Sequence, residues 1–205
     1  MLGGFSPGRR DSRPAFHLMK NATLALICLL AAGSSAAETP SAGPRADTLT
    51  FFIEGVECPS CIYSVWQAIN GIKGVSDINV QQRIDSYATV TFDPAKVSAH
   101  QIAQAVTDAW PLHGKPYVAS LTLRVPGYGQ GGNAAKVDAV LAAQKPWVKI
   151  EPLDKSKGEF VVSFLPLKLD KKTGPQGWNP DTLTRALHDS APNGLGLKAE
   201  FEKGE

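Results

Sequence analysis

The sequence predicts an α+β chain made of two successive copies of one strand–helix–strand–strand–helix–strand unit, the second copy degenerate. Three observations carry this reading. Apolar residues alternate with period two in several short runs, as half-buried strands require, and recur at helical spacing between those runs. Segments of the two halves resemble each other at one offset: Thr48–Gly55 with Ser120–Gly127 and Ala88–Phe92 with Phe160–Phe164, both 72 residues apart. The elements also follow in the same order on both sides of that offset, the mark of an internal repeat.

In the first copy, Leu49, Phe51 and Ile53 alternate as one face of a strand that ends at Gly55. A helix is predicted from about Pro59 to Asn70, with Cys61, Val65 and Ile69 on one stripe. Pro59 suits its first turn, where the missing N–H would have no partner anyway. Gly71 and Gly74 stop it. Val75, Ile78 and Val80 mark a second strand, and Ala88, Val90 and Phe92 a third, broken by Asp93-Pro94. Ser98 caps a second helix carrying Ile102, Ala105, Val106 and Ala109. Tyr117 to Ala119 forms a fourth strand. That order is the split βαβ, ferredoxin-like arrangement, with two helices over one face of a four-stranded sheet.

The second copy starts with a strand at Ser120 and continues with a helix over Ala134 to Gln144. Strands follow at Val148 and Ile150, and at Phe160 to Phe164. A long Lys/Gly/Pro loop, Lys168 to Asn179, precedes a helix over Pro180 to Asp189 that carries Leu183 and Leu187. The lysines at 168, 171 and 172 read as a solvated loop. A last strand is expected at Leu195 and Leu197, with Ala199 or Phe201. No linker separates the copies. Residues 117–125 are therefore either one long strand shared by two sheets or two strands with a sharp bend.

The N-terminus reads as an address. Met19-Lys20-Asn21 precedes a short apolar run, Ala22 to Gly33, and small residues follow up to Ala37. This is the pattern of a cleavable secretory signal, and the run is short against the roughly 20 apolar residues that span a bilayer. Residues 1–37 are assigned to it, with residues 1–18 a possible mis-called start before Met19. Arg9-Arg10 lies too far upstream for a twin-arginine signal, and Ile27 before Cys28 does not suit a lipoprotein site. Residues 38–47 form a flexible lead-in, residues 48–119 the first domain and residues 120–205 the second. Of the chain's three cysteines, only Cys58 and Cys61 remain after cleavage. The charge balance becomes 17 basic and 18 acidic residues once Arg9, Arg10, Arg13, Lys20 and Asp11 are gone. So even a charge carries no footprint for nucleic acid.

The chemistry sits in Gly55-Val56-Glu57-Cys58-Pro59-Ser60-Cys61. Two thiols three residues apart stand where a loop enters a helix, and a helix N-terminus favours thiolate. Two soft thiolates suit a soft cation in two- or three-coordinate geometry, not a closed four-ligand zinc site. Glu57 either hardens the site toward Zn(II), Cd(II) or Pb(II) or is a solvated carboxylate. His113 is either a third ligand or an exposed loop residue. Trp110 either shields the sulfurs or caps the apolar helix face. Tyr63 and Trp66 read as packing or partner-surface residues. In the second copy, Gln130 and Asn133 stand at the offset positions of the two cysteines, so the ligands are lost there. His100 and His188 lie on helices without an inferable partner, and no catalytic constellation stands out.

Residues 48–119 resemble the heavy-metal-associated domain family. The resemblance rests on Gly55-Val56-Glu57-Cys58-Pro59-Ser60-Cys61, with Val56 in place of the family's Met. It extends to Gly71-Ile72-Lys73-Gly74-Val75, to Thr89–Asp93, and to Asp108-Ala109-Trp110-Pro111, where Trp110 replaces a Tyr and a Gly is missing. The resemblance implies a non-enzymatic periplasmic carrier. It would hold one soft ion, Hg(II) or Cu(I), between Cys58 and Cys61, with Zn(II) and Cd(II) ranked behind. It would pass the ion by ligand exchange to a membrane metal transporter or another cysteine-bearing acceptor, with no membrane span in the mature chain. The competing readings are a thiol–disulfide redox protein using the same cysteines and a structural adaptor without metal.

Overall fold

The computed structural model describes residues 45–80, 86–171, 173–189 and 195–202. The export-signal reading, the start at Met19 and Lys172 lie outside the described residues. Eleven elements follow in order: β1 (Asp47–Glu54), α1 (Pro59–Asn70), β2 (Val75–Val80), β3 (Tyr87–Phe92), α2 (Ala99–Asp108), β4 (Val118–Arg124), α3 (Asn133–Ala142), β5 (Val148–Asp154), β6 (Glu159–Phe164), α4 (Pro180–His188) and β7 (Glu200–Phe201). The fold is ferredoxin-like α+β in two tandem copies, the second without the metal-type cysteines.

The copies are joined through a single sheet in the order β2-β3-β1-β4-β6-β5, with β7 also paired to β4. One strand, β4, serves both. Its first residues pair with β1 (Ile53↔Ala119), and its last with β7 (Leu123↔Phe201). Along its other edge it pairs with β6 over Ser120–Arg124. Residues 118–124 are thus one shared strand, without the sharp bend. Pro152 sits in β5 at the sheet's edge, where a missing N–H breaks no inner ladder.

Directly paired residues of antiparallel strands share a face. Leu49↔Val90, Phe51↔Ala88, Ile53↔Ala119, Leu121↔Val162 and Leu123↔Phe160 put the buried residues of β1, β3, β4 and β6 on one side. They join Cys61, Val65 and Ile69 of α1, Ile102 and Val106 of α2, Val137 and Leu141 of α3, and Leu183 and Leu187 of α4 in one core. All four helices therefore cover the same face. On the opposite face, hydroxyl pairs Thr48–Thr91 and Thr50–Thr89 link β1 to β3 at 2.9 and 3.0 Å.

The long loop before α4 is more than a solvated connection. Lys168 and Lys171 are exposed, but several residues between 165 and 179 are hydrogen-bonded to α2. Asn179 Oδ1 accepts from the Ala99 N–H at 2.7 Å, so a residue of the second copy caps a helix of the first. Ser98 Oγ donates to the Gln176 carbonyl, and Gln101 Oε1 accepts the Gln176 N–H at 3.0 Å. His100, only 1% exposed, is gripped on both ring nitrogens. Nε2 lies 2.6 Å from the Leu165 carbonyl, and Nδ1 accepts the Trp178 N–H at 3.3 Å. Trp178 is itself buried and donates Nε1–H to Gln144 at 2.9 Å.

Two expectations for the second copy are corrected. The last strand is only Glu200–Phe201; Leu195 and Leu197 instead donate their N–H groups to the Leu187 carbonyl and close the end of α4. Helix α3 runs over Asn133–Ala142 behind a left-handed Gly132 (φ +76°), one residue earlier at its start and two residues shorter at its end than the expected Ala134 to Gln144.

Candidate metal centre

Three elements converge on the cysteines. Strand β1 ends at Glu54, and Gly55 then turns with φ +91°. That left-handed backbone suits glycine, while a Cβ there would meet the Pro116 carbonyl and the Tyr117 ring at an ordinary contact distance of 3.4 Å. Cys58 is the N-cap of α1, in extended conformation, and its Sγ accepts from the Cys61 N–H at 3.2 Å. A helix N-terminus leaves N–H groups unpaired, and here a sulfur takes one of them. Cys61 lies one turn in and is fully buried, whereas Cys58 is half-buried. Both thiols are free, with their sulfurs 2.7 Å apart.

The third element is the loop between α2 and β4. His113 is exposed there, and its Nε2 lies 3.3 Å from Cys58 Sγ. The ligand atoms of Cys58, Cys61 and His113 all fall within 4.8 Å of one another. Among the described residues this is the group of three or more His, Cys, Asp or Glu side chains that converges closely enough to hold a metal ion. Glu57 is exposed and stands outside it. Trp110 is 78% exposed, too open to water either to shield the sulfurs or to cap the apolar face of α1. Its carbonyl, rather than its ring, is what the site uses, accepting from Ser64 Oγ at 3.0 Å. Tyr63 and Trp66 form an exposed stacked pair, with ring centroids 6.0 Å apart.

Tyr117 belongs to the site although its sequence position suggests only a core residue at a strand start. Its ring is 1% exposed, its hydroxyl accepts the Leu112 N–H at 3.4 Å, and the same hydroxyl helps to lower the Cys61 thiol pKa. The one available signal is its place two residues after Lys115 in the loop that carries His113, which says nothing about where the hydroxyl goes.

The two thiols are shifted in opposite directions. Burial pushes Cys61 up, but hydrogen bonds with the Cys58 side chain, the Glu57 and Cys58 backbone and the Tyr117 hydroxyl outweigh it and bring Cys61 down to about 7. Cys58 is raised, first by its hydrogen bond to Cys61 and then by burial. The pair shares its protons, releasing one near neutrality and keeping the other longer. A singly ionised thiol pair beside an imidazole is a soft donor set. It fits one thiophilic ion once the sulfurs part.

A family model described as Heavy-metal-associated domain matches residues 50–111. The mercuric transport protein periplasmic component of an Alcaligenes species is 36% identical over 81 residues, spanning 40% of this chain and 88% of that protein. The chain belongs to the heavy-metal-associated domain family. The protein of the same description from Serratia marcescens is 39% identical over 62 residues, 30% of this chain and 67% of that one. The crystal structure of oxidized MerP from Ralstonia metallidurans CH34 is similar over 37% of this chain and 97% of that chain, with 32% identity and a TM-score of 0.32. The heavy-metal-associated match ends before His113 and Tyr117, so both are features of this chain outside the matched stretch.

Proposed function

We propose that the protein is a non-enzymatic periplasmic carrier. It holds one soft ion, Hg(II) or Cu(I), between Cys58 and Cys61 and hands it by ligand exchange to a cysteine-bearing acceptor such as a membrane metal transporter. The observation that carries this is the pair of free thiols, their sulfurs 2.7 Å apart, at the N-terminus of α1. A half-buried Cys58 leaves room for an incoming thiolate, which is what exchange needs. The names of the mercuric relatives support both the cargo class and the compartment. Among the described residues, no helix is long and apolar enough to cross a membrane. Metal handling is assigned to residues 48–119. Residues 120–205 are assigned a bracing role, supported by the shared strand β4 and the loop stitched to α2.

The thiol–disulfide reading is disfavoured by which sulfur is activated. An exchanging cysteine must be both ionised and reachable. Here the more acidic thiol, Cys61, is the buried one. Native mass spectrometry of the reduced protein tests the carrier reading. One Cu(I) or Hg(II) should bind at sub-micromolar free metal, and Cys58→Ser should abolish it. A reduced protein that takes up neither ion but exchanges disulfides rapidly would overturn the proposal.

A further inference from the structure

We infer that His113 is a third ligand of the cargo ion, which makes this a three-coordinate thiolate–thiolate–imidazole site suited to Cu(I) over Hg(II). The inference rests on the carrier reading and deepens it by naming the ion. His113 stands with Nε2 3.3 Å from Cys58 Sγ, in a cluster whose ligand atoms lie within 4.8 Å of one another. That position is held from both sides. Before His113, the Trp110 carbonyl is tied to Ser64 of α1 at 3.0 Å. Next to it, the Leu112 N–H is tied at 3.4 Å to the hydroxyl of buried Tyr117. The chain then turns through Gly114 at φ +77°, a conformation that suits glycine.

Coordination geometry gives the preference. With metal–sulfur bonds of about 2.3 Å, linear binding between two thiolates needs sulfurs about 4.6 Å apart, whereas trigonal binding needs about 4.0 Å. The sulfurs, 2.7 Å apart, must separate for either geometry, and it is the neighbouring His113 nitrogen that favours the trigonal one. Hg(II) is satisfied by two thiolates in a line and gains little from an imidazole. Cu(I) accepts a trigonal set of soft sulfurs and a nitrogen. The Glu57 carboxylate, which would have pulled the site toward harder ions, stands outside the cluster.

An exposed third ligand also supplies a route for release. As an acceptor's thiolate bonds to the ion, the ion's bond to His113 nitrogen breaks. The acceptor thiol's proton goes to solvent, and the ion keeps both its oxidation state and its coordination number. His113 is thus the ligand that leaves first.

The test uses the reduced full chain and its His113→Ala variant, with circular dichroism as the check that both fold. Cu(I) affinity is measured against a chromophoric chelator and Hg(II) affinity against a competing thiol. X-ray absorption is recorded on the Cu(I)-loaded proteins. Cu(I) affinity should fall by about tenfold or more, the scale on which even an outer-shell loss weakens a metal site. Hg(II) affinity should hold, and the copper first shell should lose its nitrogen. Unchanged Cu(I) affinity with an unchanged first shell would remove His113 from the site and leave the two-thiolate carrier standing. An equal loss for both ions would overturn the selectivity. Failure of the wild-type protein to bind either ion would overturn the carrier reading itself.

Discussion

Replacing His100 with phenylalanine should loosen the loop before α4 from α2 without touching the metal loop. Phenylalanine keeps a flat ring without the nitrogens; its larger ring adds a pH-independent packing cost in this buried slot, so the pH dependence is what isolates the hydrogen bonds. The Trp178 N–H, buried and aimed at Nδ1, loses its acceptor, and the Leu165 carbonyl loses its bond to Nε2. An unsatisfied buried donor costs about 1–3 kcal/mol, and a lost ordinary hydrogen bond about 1 kcal/mol more. The sum, about 2–4 kcal/mol, lowers Tm by on the order of 10 °C for a body of this size. The pH dependence makes the prediction sharper. Nδ1 accepts while Nε2 faces a carbonyl, so only the neutral ring fits both partners. Burial pushes His100 below its ordinary value, against the opposing effect of the Leu165 carbonyl. The unfolded chain therefore takes up the proton first, near pH 6.5. The stabilisation is complete above that value and is lost as the pH falls below it, by at most about 1.4 kcal/mol per pH unit. The His100→Phe variant has no such proton to bind. Urea denaturation of both proteins between pH 5 and 8 should show a gap that is widest at pH 8 and narrows toward pH 5. A gap that is constant across the range, or absent at pH 8, would refute the two-sided grip on the ring.

Three further outcomes follow from the same contacts. In Cys58→Ala, Cys61 loses the hydrogen bond that chiefly opposes its burial, so its ionisation should move above the present value of about 7; thiolate absorbance near 240 nm against pH reads this directly, and an unmoved midpoint refutes it. Tyr117→Phe should keep the fold, at a cost of about 1 kcal/mol, while also raising the Cys61 midpoint, because the hydroxyl stabilises that thiolate. Gly177→Ala should destabilise strongly in thermal melts: the backbone there has φ +80°, and the new Cβ would sit 2.8 Å from His100 Nδ1. A melt within about 1 °C of wild type, well under the 2–4 °C that each kcal/mol moves Tm in a body of this size, would mean the loop can move away from α2.

Much of the first copy is legible in the residues. The stripe Cys61, Val65, Ile69 behind Pro59 marks α1 to its observed ends, because local spacing and a proline at the first turn suffice. Ser98 and Gln101 form the capping box that the cap residue announces. The second copy is less legible. Leu195 and Leu197 have strand-like spacing, but packing against the end of α4 outweighs that short pattern. The loop at 168–179 reads as solvated because its sequence clusters lysines at 168, 171 and 172. Its binding groups are backbone amides and amide side chains, whose partners 60 to 80 residues away no local pattern reports.

The sequence by itself determined the repeated βαββαβ order, the core faces of its strands and the two cysteines at the mouth of α1. Each depends on spacing within a few residues, where periodicity and capping are set by bonds to near neighbours. Tertiary structure alone decided three other things: that β4 would be one strand serving both copies, that Trp110 would face water, and that His113 and Tyr117 would close on the thiols. Those outcomes depend on how the sheet register brings the α2–β4 loop over the α1 N-terminus. A side chain 52 residues from Cys61 becomes its neighbour only when strands β1 and β4 pair.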